Sequence, residues 1–350
     1  MGHSMRRFCA AVAALSFSTA LVGAFATPAS AQEEFFKGKT ISVLIGFGPG
    51  GANDVWARLL TRYMGKHIPG QPHMVPQNMP GAGTLKLANH LSAAAPKDGT
   101  VFGLISRGIP LEPLLGGANV QLEPEKMAWI GSPDKDTSVC VARKDARVKK
   151  LEDLRASELV MGATGSGADT AIYPEFLAEF LGMKFKTIKG YPGSNEIVMA
   201  MERNEVQGIC VAFQSISRTR IFVDGELNIL FQAGLEKDPA VPADVPLVTD
   251  FTKDKADLEA LRLFIARAAL GRPFVAPPGL PPERVKLLQR AFMATMEDPA
   301  FRAEAEKLKL TVEPISGEDL ARTIAELYRT PPDVVKKVAQ TLGNLSAPAK

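Results

Sequence analysis

The residues best placed to do chemistry lie in one stretch, Gly46-Phe47-Gly48-Pro49-Gly50-Gly51-Ala52-Asn53-Asp54. Four glycines and a proline fall within six positions here, after the apolar run Ile41 to Ile45 and before Val55 to Leu60. The first run has the β-branched character of a buried parallel strand, and the second has helical spacing. Glycine lets the backbone approach a ligand closely because no Cβ intervenes. The orphan N–H groups and the positive dipole end of the following helix favour an anion, either a phosphate or a carboxylate. Asn53 or Asp54 is expected to cap that helix.

The chain's motifs narrow the choice. Gly46-x-Gly48-x-x-Gly51 formally fits a dinucleotide fingerprint. The acidic residue needed some 20 positions on is missing, since Gln71 to Asn78 contains neither Asp nor Glu. A phosphate-binding loop would end in Gly-Lys-Ser/Thr, whereas Gly51 is followed by Ala52-Asn53. There is no Gly-x-Ser-x-Gly elbow for a hydrolase. His67, His73 and His90 have no metal-ligand spacing, and no catalytic carboxylate pair stands out. No cofactor or metal is expected, and nothing here supports catalysis.

Hydrogen-bond donors remain: backbone N–H groups at two or three helix starts, with the side chains of Asn53, Thr84, Thr164, Ser166, Thr170 and Ser194. Such a set can hold a carboxylate without a counter-ion. Arg107, at the end of a third strand, is the one cation placed to reach a cleft, although a surface arginine is an equal reading. Phe47, Tyr191 and Phe213 are candidate apolar walls, or ordinary packing residues.

The elements that must position these groups alternate in an α/β pattern. A second glycine loop, Pro80-Gly81-Ala82-Gly83-Thr84, precedes a helix from Leu85. A strand from Val101 to Ile105 ends at Ser106-Arg107. A new α/β set then begins near Ser138. Within it the strand Leu159 to Gly162 opens into Ala163-Thr164-Gly165-Ser166-Gly167-Ala168-Asp169-Thr170. Ligands bind beyond the carboxyl ends of strands in such sheets. Two sets with glycine loops suggest two lobes facing a cleft. The expected division is 32–137 for the first part of lobe one, 138–250 for lobe two, and 251–350 for a return to lobe one with C-terminal helices.

The chain has 350 residues, 46% hydrophobic and 23% charged, an ordinary globular composition. Residues 1–31 read as a signal peptide: Arg6-Arg7, an apolar run to Phe25, and a small-residue cleavage site ending at Ala31. Removing Arg6 and Arg7 lowers the net charge of +3 to +1, which leaves no case for nucleic-acid binding by bulk charge. Cys140 and Cys210 remain, both in apolar strand-like runs. A disulfide is open to them in an exported protein, but buried free thiols are the plainer reading.

Phe47-Gly48-Pro49-Gly50-Gly51-Ala52-Asn53-Asp54 resembles the Pro-Gly-Gly-x-x-Asp loop of the binding proteins of tripartite tricarboxylate transporters, the Bug receptors. Asn78-x-Pro80-Gly81-Ala82-Gly83, Ala95-Pro96-Lys97-Asp98-Gly99-Thr100, Gly165-Ser166-Gly167, Asp244 to Thr249 and Phe274 to Pro281 agree in order and spacing. The resemblance covers essentially the whole mature chain. It implies a two-lobed periplasmic binding fold of type II, with the ligand cleft between two Rossmann-like lobes closing on an organic acid. It also implies a site partly bridged by water and often without charged residues. Carried onto this chain, the grip would be Phe47, Gly48, Gly50, Gly51, Ala52 and Asn53 with Gly81, Ala82, Gly83 and Thr84. The second lobe would add Thr164 to Thr170, including Gly165, Ser166, Gly167 and Asp169. Ala168-Asp169-Thr170 and Lys189 to Ser194 depart from the family's usual pattern. The expected protein is a periplasmic monomer that takes a mono- or dicarboxylate, aliphatic or aromatic, to membrane transporter subunits. A receptor signalling to a membrane sensor is the second reading, and an exported α/β hydrolase the third.

Overall fold

The structure is a computed structural model and describes residues 35–346 apart from 118, 136, 166 and 167. The expected signal peptide lies outside the described residues. Among those residues no helix is long and apolar enough to cross a membrane.

The first sheet begins with β1 (Thr40–Ile45), β2 (His73–Asn78) and β3 (Val101–Leu104), all parallel, with β1 between the other two. β4 (Ala128–Ser132) ends the first pass. The second sheet contains β5 (Ser138–Arg143), β6 (Leu159–Gly162), β7 (Phe185–Ile188), β8 (Gly208–Ala212) and β9 (Leu227–Ala233), in the order β7-β6-β8-β5-β9. The chain then returns to the first sheet with β10 (Phe274–Ala276) and β11 (Ile315–Ser316), giving β11-β4-β10-β3-β1-β2. Both sheets are mixed: β10 runs antiparallel to β3 and β4, and β5 runs antiparallel to β8 and β9. β10 and β11 escape the sequence because a strand of two or three residues is too short to show a period.

The helix Ala52–Tyr63 buries Trp56, Leu59 and Leu60 on the first sheet, and Trp56 meets Phe301 of the helix Pro299–Lys307. Each such side chain contributes about 1.5–3 kcal/mol by burial. Asp298 caps Pro299–Lys307 by accepting from the N–H groups of Ala300 and Phe301. In the second lobe the helix Asp169–Leu181 buries Tyr173, Phe176 and Leu177. The helix Lys255–Ile265, which the sequence grouped with the return to lobe one, packs in this same core, where Phe264 stacks on Phe176. The last helix, Pro332–Ser346, packs against both second-lobe helices and places Val334 and Val338 in their core.

Cys140 and Cys210 sit directly opposite each other on β5 and β8, with Cα atoms 4.0 Å apart, and form a disulfide. This corrects the plainer reading of free thiols. The strands were legible but their antiparallel pairing was not, and only the register brings the two sulfurs together.

Candidate ligand cleft

A cavity of about 310 Å3 lies between the two sheets. It sits beyond the carboxyl ends of β1, β3, β6 and β8, where Gly46, Ile105, Thr164 and Ala212 line it. Its size falls at the small end of ligand pockets.

The first glycine loop is fastened from below. Asp54 is only 3% exposed, and its carboxylate accepts the Gly50 N–H and Arg58 Nε at 2.9 Å each and Asn78 Nδ2 at 2.8 Å. Asn78 also donates to the Phe47 carbonyl at 2.9 Å and accepts from Arg58 at 2.7 Å. The helix N-cap is Gly51, with no capping side chain. Neither Asn53 nor Asp54 therefore caps as expected; Asp54, two positions into the helix, reaches back to hold the loop. Burial alone would raise the Asp54 carboxyl, yet the hydrogen bonds from Arg58, Gly50 and Asn78 hold it below the usual range.

A depressed folded value stabilises the protein above the unfolded pKa of ~3.9, and that contribution is lost as pH falls through the folded value. Asp54→Asn should cost about 2 kcal/mol at neutral pH, less than a fully buried pair because Arg58 is 39% exposed. Urea midpoints of wild type and variant should converge as the pH drops below ~3.9. A gap unchanged by pH would show that the Asp54 charge contributes nothing.

The second glycine loop is left-handed throughout: φ is 149° at Gly81, 47° at Ala82, 61° at Gly83 and 80° at Thr84. Ala82 and Thr84 pay about 1–2 kcal/mol each for this geometry, of the kind that proteins keep where a site needs it. The Thr84 N–H closes the turn on the Gly81 carbonyl at 2.9 Å. Thr84 is 2% exposed, and its Oγ1 accepts the Ser106 N–H at 2.8 Å, tying the loop to the end of β3. Gly46 is required beside it, because an added Cβ would lie 2.7 Å from the Thr84 Cβ.

The second lobe closes over these loops. A Cβ on Gly165 would lie 3.6 Å from the Gly83 nitrogen, so the two glycine loops come nearly into contact there, and both line the cavity. Asn195 Nδ2 donates to the Gly50 carbonyl at 3.2 Å. The Thr164 N–H and hydroxyl both meet Thr170 Oγ1 at 3.1 Å. Arg107 also crosses between lobes: its Nε donates to Asp169 Oδ2 at 2.8 Å and its Nη2 to Ser138 Oγ at 2.6 Å.

Of the expected site residues, the cavity is lined by Phe47, Gly48, Gly51, Ala52, Asn53, Gly81, Ala82, Gly83, Thr84, Arg107, Thr164, Gly165, Asp169, Thr170 and Tyr191. Ser166 and Gly167 lie outside the described residues. Gly50 is not in the lining; Asp54 and Asn195 hold its two polar groups. Phe213 starts the helical turn Phe213–Ile216, which carries its ring into the core against Phe222, so Ala212 and Ser215 line the cavity instead. Asn195, Glu196, Gly271 and Arg272 line it as well and were not foreseen. Gly271-Arg272 comes from the chain's return crossing, whose position no motif marks.

Comparison with known proteins places this geometry. The family model described as "Tripartite tricarboxylate transporter family receptor", TctC, matches residues 56–340. The chain belongs to the TctC family. It is thereby one of a family of periplasmic solute-binding receptors, not of enzymes. The "UPF0065 protein in gbd 5′ region" of Cupriavidus necator is 27% identical over 342 residues, covering 95% of this chain and 98% of that protein. The periplasmic binding protein BugD superposes with a TM-score of 0.64 at 20% identity, covering 89% of this chain and 98% of BugD. MatC of Rhodopseudomonas palustris, solved with bound malate, superposes with a TM-score of 0.66 at 22% identity, covering 86% and 100%. At these identities the two structures establish the TctC chain's fold as that of the two-lobed periplasmic binding proteins.

Proposed function

We propose that this TctC-family protein captures an organic carboxylate between its lobes in the periplasm and delivers it to a tripartite tricarboxylate-type membrane transporter. One observation supports the reading: the positive-φ loop Gly81 to Thr84 of one lobe and Thr164-Gly165 of the other line the same cavity. Backbone N–H groups held in a fixed curve suit a carboxylate. MatC with its bound malate supports the ligand class. The ligand would stabilise the closed state by its contacts to both lobes.

The test is thermal unfolding of the mature chain against mono-, di- and tricarboxylates and aromatic acids. A ligand at ~100 times Kd should add roughly 2.7 kcal/mol to stability. A shift confined to one carboxylate series supports the reading, and no shift with any carboxylate overturns it. Gly46→Ala gives a second check. Its Cβ would meet Thr84, which is fixed by Ser106, so overpacking should cost about 1–3 kcal/mol. The same displacement should weaken carboxylate affinity about tenfold, and equal affinity in the two proteins would remove Thr84 and its loop from the site.

A further inference from the structure

The charged groups around the cavity bear on which carboxylate enters it. Arg107 is the cation that a second ligand carboxylate would seek, but it is taken. Its Nε and Nη2 both lie 2.8 Å from Asp169 Oδ2, which Ser138 Oγ also approaches at 3.1 Å. Arg107 is 6% exposed, so the pair is shielded from screening water. Asp169 Oδ1 is buried with no hydrogen-bond partner among the described residues, and Asp169 lines the cavity. The other guanidinium in the lining, Arg272, is paired with the fully buried Asp134. Glu196 adds a further carboxylate to the lining.

Building on the carboxylate reading above, we infer that the protein selects monocarboxylates, because Asp169 occupies the Arg107 guanidinium that a second ligand carboxylate would need. One carboxylate is met by neutral backbone donors, which require no counter-ion. A second would have to displace Asp169 from a buried pair or sit unpaired beside Asp169 and Glu196. Either way like charges are forced together in a shielded site, and rejection by such juxtaposition is a common source of specificity. Asp169 is thus a specificity-determining residue, and the departure Ala168-Asp169-Thr170 acquires a purpose.

The experiment is titration calorimetry on the full mature chain with matched pairs of equal length: hexanoate against adipate, and butanoate against succinate. Wild type should bind the monocarboxylate of the better-fitting pair at least about tenfold more tightly. Asp169→Asn keeps a hydrogen-bond acceptor near Arg107 but releases its charge, and should narrow or reverse that preference. In Asp169→Asn/Arg107→Gln no cation is released, so the dicarboxylate gain should vanish. If Asp169→Asn does not fold, the wild-type pairs decide alone. Equal or tighter dicarboxylate binding by wild type overturns the inference while leaving the carboxylate reading intact. So does a preference unchanged in a folded Asp169→Asn. If neither the matched pairs nor the wider acid screen gives binding, the carboxylate reading itself fails, and this inference with it.

Discussion

Arg272→Ala should destabilise the protein by about 3–5 kcal/mol, the cost of leaving a buried charge without its partner. Asp134 is 0% exposed and Arg272 is 5% exposed, so water cannot replace the lost guanidinium. The site is rigid around the pair: the Arg272 N–H donates to Ser132 Oγ at 2.8 Å, and Ser132 Oγ donates to the Asp134 carbonyl at 2.8 Å. Burial and the nearby Arg107 charge lower the Arg272 pKa from its ordinary value, and the opposite charge of Asp134 favours the ionised form. Arg272→Ala/Asp134→Ala should recover much of the loss, because the damage comes from the orphaned carboxylate and not from the missing pair. Chemical denaturation of both variants checks this. A double variant as unstable as the single would mean that packing, not charge, is what Arg272 provides. Arg272 also stands at the return crossing and lines the cavity, so its loss should weaken ligand binding in protein that remains folded.

Reducing the Cys140–Cys210 bond is the second large effect. It closes a loop of 70 residues, and the chain-entropy model gives about 4 kcal/mol for that length as an upper figure. Both cysteines are buried in the second lobe's core, away from the cavity lining. Reductant should therefore lower the denaturation midpoint while leaving the two lobes able to close on ligand. An unchanged midpoint with and without reductant, with two free thiols titrated in the unfolded chain, would show that the bond does not form.

Much of this was legible because it is local. Glycine loops between an apolar run and a helical run mark strand ends, and parts of three of them line the cavity: Gly46 to Pro49 with Gly51, Gly81 to Thr84, and Thr164 with Gly165. What failed to show depends on partners distant in sequence. Arg107 and Asp169 are 62 positions apart and meet only because the lobes close, so Arg107 read as a lone cation. Cys140 and Cys210 needed the β5–β8 register. Arg272 and Asp134 needed both crossings between lobes. Phe213 was misplaced by a single turn: strand alternation gives no warning that the chain coils at Ala212 and rotates the next ring into the core. Asp54 fitted a cap by position, but its reach back to Gly50 is set by Arg58 and Asn78, which hold the carboxylate from the other side.

The most direct test is the crystal structure of residues 32–350 with the acid that gives the largest thermal shift. The expected result is a closed molecule with one carboxylate held by the Gly81 to Thr84 loop and by Thr164 and Thr170, and with the Arg107–Asp169 pair intact beside it. A carboxylate bound elsewhere, with both glycine loops empty, would contradict it.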